Sequence, residues 1–255
     1  MAPPARRGKA PASPADEHLR ASGAGRGGKG GAARLRPPDM HTDLAELQEA
    51  VVEGERAAAT ALARSALAEG IAARRILEEA LIPGMARVGD LFKRREFYVP
   101  EMLMAARAMK ACLEILRPDL VAAKVEPIGC VVGATVAGDL HDIGKNLVLM
   151  MLEGAGFRVV DLGVDCPPER VVAAVGESGA RLVCLSALLT TTMPAMRDTI
   201  AALDAAGLRG RVGILVGGAS VTQAYADEIG ADGYAPDAAS AVDAAKRVLA
   251  HLAAS

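Results

Sequence analysis

The stretch Ile128-Gly-Cys-Val-Val-Gly-Ala-Thr-Val136, then Gly138-Asp-Leu-His-Asp-Ile-Gly144, then Asn146-Leu-Val-Leu-Met-Met-Leu152, decides the fold. Its first part is an unbroken apolar run that reads as a buried strand, and its last part continues with helical character. Between them lies a tight turn that sets one histidine, His141, between two carboxylates, Asp139 and Asp142. A strand feeding a helix through this turn puts His141 at the carboxyl end of the strand, where open α/β sheets bind their ligands.

Beyond this stretch the same alternation continues. Strands are expected at 128–136, 158–164, 182–188, 212–217 and 233–235, and helices at 144–154, 168–177, 193–206, 222–229 and 238–252. Alternating strands and helices imply a parallel sheet covered on both faces. Five strands favour the flavodoxin-like, Rossmann-like order 2-1-3-4-5. In that order the first, third and fourth strands are neighbours, so His141, Ser186 at the end of the third and Gly217-Gly218 closing the fourth converge on one crevice.

Upstream the pattern is helical. Asp43 caps an expected helix over 44–53 ended by Gly54, and a second runs over 55–69 to Gly70. A third, over 72–92, carries Ile76, Leu77, Ala80, Leu81, Met85, Val88 and Leu91 at helical spacing, with a kink expected at Pro83-Gly84. A fourth opens near Pro100 and is expected to end at Arg117-Pro118. Short connections between four helices imply a small antiparallel bundle. The expected division is therefore a tail over 1–38, a four-helix module and linker over 39–125, and an α/β domain over 126–255.

The tail holds eight Lys/Arg against two Asp/Glu, leaving 21 against 29 for the remainder, and is dense in Gly, Pro, Ala and Ser. Such a segment buries too little apolar surface to offset its ordering entropy and is expected to be disordered. An aromatic share of 2% with no Trp offers little for stacking bases, so nucleic-acid binding is disfavoured. Cys112, Cys130, Cys166 and Cys184 show no C-x-x-C pairing and read as buried thiols. No run of 18 uncharged apolar residues exists and no apolar signal core opens the chain, so a cytoplasmic protein without a membrane partner is expected.

The turn can be tested against other α/β sites. A phosphate-binding P-loop needs four residues between its glycines and Ser or Thr after the lysine, whereas five lie between Gly138 and Gly144, and Asn146 follows Lys145. The dinucleotide fingerprint is absent after the first strand. A response-regulator receiver would end its third strand in Asp, where this chain has Ser186 and threonines.

From Gly144 there are 41 intervening residues to Ser186-Ala-Leu188, and 28 more before Gly217-Gly218. This combined pattern resembles the signature of cobalamin-binding domains that hold cobalt through a histidine. The preceding L-I-P-G-M (81–85), V-G-D-L-F (88–92) and F-Y-V-P-E (97–101) resemble the helical cap of corrinoid proteins in methyltransferase systems and of methionine synthase. The resemblance covers about residues 43 to 250. It implies cobalamin (methylcobalamin or a related corrinoid) as cofactor, with His141 as lower ligand to cobalt. It also implies that the whole turn, Gly138, Asp139, Leu140, His141, Asp142, Ile143 and Gly144, lies against that cofactor. Leu188, Gly217 and Gly218 would line a slot for the nucleotide tail, while Glu78 in the cap, Thr190 and Ala238 match further family contacts.

Imidazole suits first-row transition metals, and a ligating histidine needs its other ring nitrogen held, usually by a carboxylate. Asp139 is placed for that, and Ser186 could donate to Asp139, giving an expected Ser186–Asp139–His141 relay. The function implied is a methyl carrier that moves a methyl group on cobalt between a donor-specific methyltransferase and a folate or thiol methyltransferase, served by a reductive activator. The rival is a cobalamin-based sensor resembling photoreceptors, which usually carry a DNA-binding helix-turn-helix in front; residues 1–40 are too rich in Gly and Pro for that.

Overall fold

In the sheet the period-two alternation of side chains sorts the core into two layers. Strands β1 (Cys130–Thr135), β2 (Arg158–Asp161), β3 (Leu182–Ser186), β4 (Gly213–Gly217) and β5 (Gly233–Ala235) pair all-parallel in the order 2-1-3-4-5. Val131, Leu182, Cys184 and Leu215 pack beneath α6 (Ile143–Gly154) and α10 (Ala238–Ala254). Val132, Ala134, Val183, Leu185, Ile214 and Val216 face the other way, toward α7 (Pro168–Ser178), α8 (Pro194–Ala205) and α9 (Gln223–Glu228). All six residues of β1 are buried, as a strand covered on both faces requires. The expected strands at 128–136, 158–164 and 182–188 are each shorter than the apolar runs suggested, because the run ends leave the ladder to form the turns of the carboxyl edge. At that edge Thr135, Ser186, Gly217 and Ala235 stand in one row of the register.

The computed structural model describes residues 42–254, so the tail expected over 1–38 lies outside the described residues. Ahead of the sheet come α1 (Leu44–Val52), α2 (Arg56–Ala68), α3 (Ala73–Ile76), α4 (Ile82–Lys93) and α5 (Val99–Ala122). Asp43 caps α1 by accepting the Ala45 N–H at 2.8 Å. With few aromatic residues, this core is built on alanine: Ala59, Ala63 and Ala66 of α2 and Ala105, Ala106 and Ala108 of α5 are all buried.

Between α3 and α4 lies a π-helical turn over Leu77–Leu81, where the Ile82 N–H reaches back to the Leu77 carbonyl. Pro83 has no N–H to return to the preceding turn, and the wider turn absorbs that loss just ahead of it. One helical expectation is corrected: the fourth helix does not end at Arg117-Pro118. α5 continues through Pro118 to Ala122, because a proline in the exposed last turns forfeits one bond, while the N–H groups of Ala123, Lys124 and Val125 still close onto Asp119, Val121 and Leu120.

The helical core is continuous with the sheet's helices, since Met151 of α6 and Ala238 of α10 belong to it. Gly154 permits the approach of α6 to α4: a Cβ there would lie 2.9 Å from Met85 Cγ. Lys93 Nζ bonds Asp243 Oδ2 at 2.6 Å, tying α4 to α10.

Candidate functional site

The turn after β1 is built around a buried carboxylate. Asp139 is 0% exposed, yet His141 beside it is 51% exposed. One carboxylate oxygen, Oδ1, accepts the His141 backbone N–H at 3.0 Å and faces the ring Nδ1 at 2.7 Å. The other, Oδ2, accepts the Thr192 hydroxyl at 2.7 Å and the Leu188 and Leu189 N–H groups at 2.8 and 3.3 Å. Burial alone would raise the Asp139 pKa, but the bonds from Thr192, His141 and Leu188 outweigh it and hold the carboxyl well below the usual carboxylate range. An ionised carboxylate can only accept, so Nδ1 carries the ring proton and Nε2 keeps a free lone pair. The Thr135 hydroxyl donates to the His141 carbonyl at 2.9 Å and fixes the backbone of the same residue.

The relay expected from sequence is corrected in one member. Thr192, not Ser186, anchors the far side of Asp139. Ser186 sits one strand away on the edge row and lines the adjoining cavity. Thr192 reaches Asp139 because the chain after β3 folds back over the turn, and spacing alone gave no way to choose it from the run Thr190-Thr191-Thr192.

A cavity of about 320 Å³ opens beside His141, between the ends of β3, β4 and β5 and the starts of α6 and α10. His141, Gly144, Ser186, Leu188, Gly217, Gly218 and Ala238 all line it, so the topology brings together half of the residues singled out from sequence. Phe92 from α4 and Lys145 from α6 also line it and were not foreseen. Gly218 stands at φ 125°, with a Cβ position 2.0 Å from the Ala187 carbonyl oxygen, so the glycine is demanded by backbone geometry. Leu140 and Ile143 are 71% and 78% exposed, setting apolar side chains on the surface on either side of His141. Gly138 and Asp142 complete the turn without facing the cavity. Glu78 lies in the π-helical turn, ion-paired with Arg74 at 2.8 Å, and neither it nor Thr190 lines the cavity.

A family of B12 binding domains matches residues 129–243, and a second family with the same description matches 44–117. The dimethylamine corrinoid protein 3 of Methanosarcina acetivorans is 42% identical over 211 residues, spanning 83% of this chain and 99% of that protein. The chain belongs to the B12-binding corrinoid proteins. A cobalamin-binding protein from Desulfitobacterium hafniense superimposes on this corrinoid protein with a TM-score of 0.68 at 33% identity, covering 80% of this chain and 98% of the other. The methanol:cobalamin methyltransferase complex MtaBC from Methanosarcina barkeri matches with a TM-score of 0.73 at 31% identity, over 87% of this chain and 83% of the other.

The residues fit a cobalt corrinoid. Among the described residues no three His, Cys, Asp or Glu side chains gather into a metal cage, and a cobalt ion already held by a corrin ring needs only a single protein ligand. His141 offers one nitrogen with its tautomer set, exposed Leu140 and Ile143 offer an apolar seat for a broad ring, and the adjoining cavity is lined mainly by apolar side chains and glycines. Among the described residues no helix is long and apolar enough to cross a membrane.

Proposed function

We propose that this corrinoid protein is a methyl carrier in which His141 Nε2 is the lower ligand to cobalt. The observation that carries the reading is the buried Asp139 carboxylate holding Nδ1 of a half-exposed histidine at 2.7 Å. A bound corrinoid supplies a cobalt centre that accepts and releases a methyl group. Asp139 orients the imidazole and sets its tautomer, and Thr192 keeps Asp139 ionised and fixed. The Thr192–Asp139–His141 chain would hold the ring proton on Nδ1 and leave Nε2 as the nitrogen offered to cobalt. Ser186, Leu188, Gly217, Gly218 and Ala238 would hold the nucleotide tail in the cavity and keep water from it. Residues 39–125 would serve as a cap over the ring, with Glu78 and Thr190 as further contacts, and residues 126–255 as the cofactor-binding part.

The relatives' methylated amine and methanol systems support a one-carbon donor bound by a separate methyltransferase; a thiol or folate methyltransferase as acceptor, a reductive activator and a cytoplasmic setting complete the proposal. The reading is tested by loading the full chain with hydroxocobalamin, reducing it, and adding methyltransferases encoded beside its gene together with isotopically methyl-labelled dimethylamine, trimethylamine or methanol and a thiol acceptor. Label should reach the thiol only when this protein and a cognate methyltransferase are both present. Transfer at the same rate without this protein overturns the carrier role.

A further inference from the structure

The loop after β2 grips the histidine turn from outside the site itself. Asp165, within that loop, stands at φ 48°, in the left-handed region that aspartate tolerates at a cost. Its carboxylate Oδ1 accepts the Gly138 N–H at 2.7 Å. Its own N–H donates to the Asp139 carbonyl at 2.9 Å. The two bonds form a reciprocal clamp across Gly138-Asp139. The loop is in turn fixed to β1, with the Thr135 N–H on the Gly163 carbonyl at 2.9 Å and the Cys166 N–H on the Thr135 carbonyl at 3.0 Å. Asp165 is exposed and adds nothing to the hydrophobic core; what its conformation achieves is these two bonds.

We propose that Asp165 is a positioning residue for the cobalt ligand. Through Gly138 and Asp139 it fixes the turn so that one carboxylate can meet Thr192 on one side and the His141 ring on the other. The turn carries two further backbone bonds of its own, Asp139 N–H to the Val136 carbonyl at 3.1 Å and Asn146 N–H to the Asp142 carbonyl at 2.8 Å. Those hold the Gly138–Asp139 peptide and the start of α6, whereas the Asp165 clamp holds the peptides on either side of it, through the Gly138 N–H and the Asp139 carbonyl. The inference rests on His141 being the ligand.

The test uses the full chain loaded with cob(II)alamin in four forms: wild type, Asp165→Gly, Asp165→Asn and His141→Ala. Glycine accepts the left-handed backbone but removes the carboxylate, while asparagine keeps an acceptor oxygen and tolerates the same φ. Two quantities are read: the share of the cobalt(II) paramagnetic resonance signal split by histidine nitrogen, and the thermal midpoint of the cofactor-free protein. Asp165→Gly should lower the split share by about 10-fold, in the range of other outer-shell losses, with its midpoint unchanged or raised, and Asp165→Asn should match wild type. A wild-type split share in Asp165→Gly overturns the inference, and so does a fall in midpoint and split share together in both Asp165 variants, which would mark a purely structural role. If wild type itself shows no splitting that His141→Ala removes, the reading of His141 as ligand fails and the inference falls with it.

Discussion

Replacing Thr192 by valine removes one hydroxyl and keeps the shape. In the folded protein that hydroxyl lies 2.7 Å from Asp139 Oδ2 and is the closest of three donors on that oxygen, ahead of the Leu188 and Leu189 N–H groups at 2.8 and 3.3 Å. A hydrogen bond to a charged acceptor contributes about 1.5–3 kcal/mol. Asp139 is fully buried, so water does not replace the lost donor, but the two N–H groups remain and keep the loss near the lower end. Thr192→Val should therefore destabilise the cofactor-free protein by about 2 kcal/mol at neutral pH. Denaturant unfolding reads it, with Thr192→Ser as the variant that restores the bond. Ser186→Ala is the control, because Ser186 makes no bond to Asp139, and it should stay within about 0.5 kcal/mol of wild type. If Thr192→Val is as stable as wild type while Ser186→Ala is not, the anchor has been assigned to the wrong residue.

Three further outcomes follow from other parts of the structure. Burial pushes the Cys184 thiol up to about 12 from an ordinary value of 9.0, so between those values the unfolded chain loses a proton that the folded one keeps. Stability should fall across that window as pH rises, by about 1.4 kcal/mol per pH unit for this thiol, and the alkaline slope should flatten by that amount in Cys184→Ala. Gly218→Ala should cost about 3 kcal/mol or more, or abolish corrinoid binding, since its Cβ would press on the Ala187 carbonyl at φ 125°; a soluble variant with wild-type melting and affinity would contradict the cradle. Lys145 is 3% exposed and bonds Asp161 Oδ1 and Asn146 Oδ1, each at 2.6 Å, so Asp161→Ala leaves a buried cation with only the neutral amide oxygen and should cost about 2 kcal/mol, discounted because Asp161 is 45% exposed. Calorimetry should find Lys145→Met/Asp161→Ala less costly than Asp161→Ala alone.

The sheet was legible because β1, β3 and β4 sit in continuous apolar runs and strands alternate with helices, so a parallel sheet follows from the alternation and the order 2-1-3-4-5 from the preference of five-stranded sheets. The convergence of His141, Ser186 and Gly217-Gly218 followed from that order, and the cavity contains all four. Asp139 was legible as the partner of His141 because both lie in one turn. What spacing could not give is the path of the chain after β3: Thr192 and not Ser186 reaches Asp139, a choice made by how the loop folds back. Asp165 was equally hidden, because its part is played through a left-handed backbone and a bond to a glycine N–H across 27 residues, neither of which leaves a mark in composition or period. Pro118 misled for a local reason: a proline in an exposed final turn removes one bond without ending the helix. Phe92 came from the helical half, whose approach to the sheet depends on Gly154 and on the Lys93–Asp243 pair, contacts that no periodicity encodes.

The claim on which the rest stands is that His141 nitrogen is bonded to cobalt. The full chain should be produced with histidine labelled in the heavy nitrogen isotope, loaded with unlabelled cob(II)alamin, and examined by paramagnetic resonance. A protein ligand will turn each nitrogen-split triplet into a doublet, and His141→Ala will abolish the doublet. Triplets that persist on the labelled protein would put the cofactor's own base on cobalt and remove His141 from the role proposed for it.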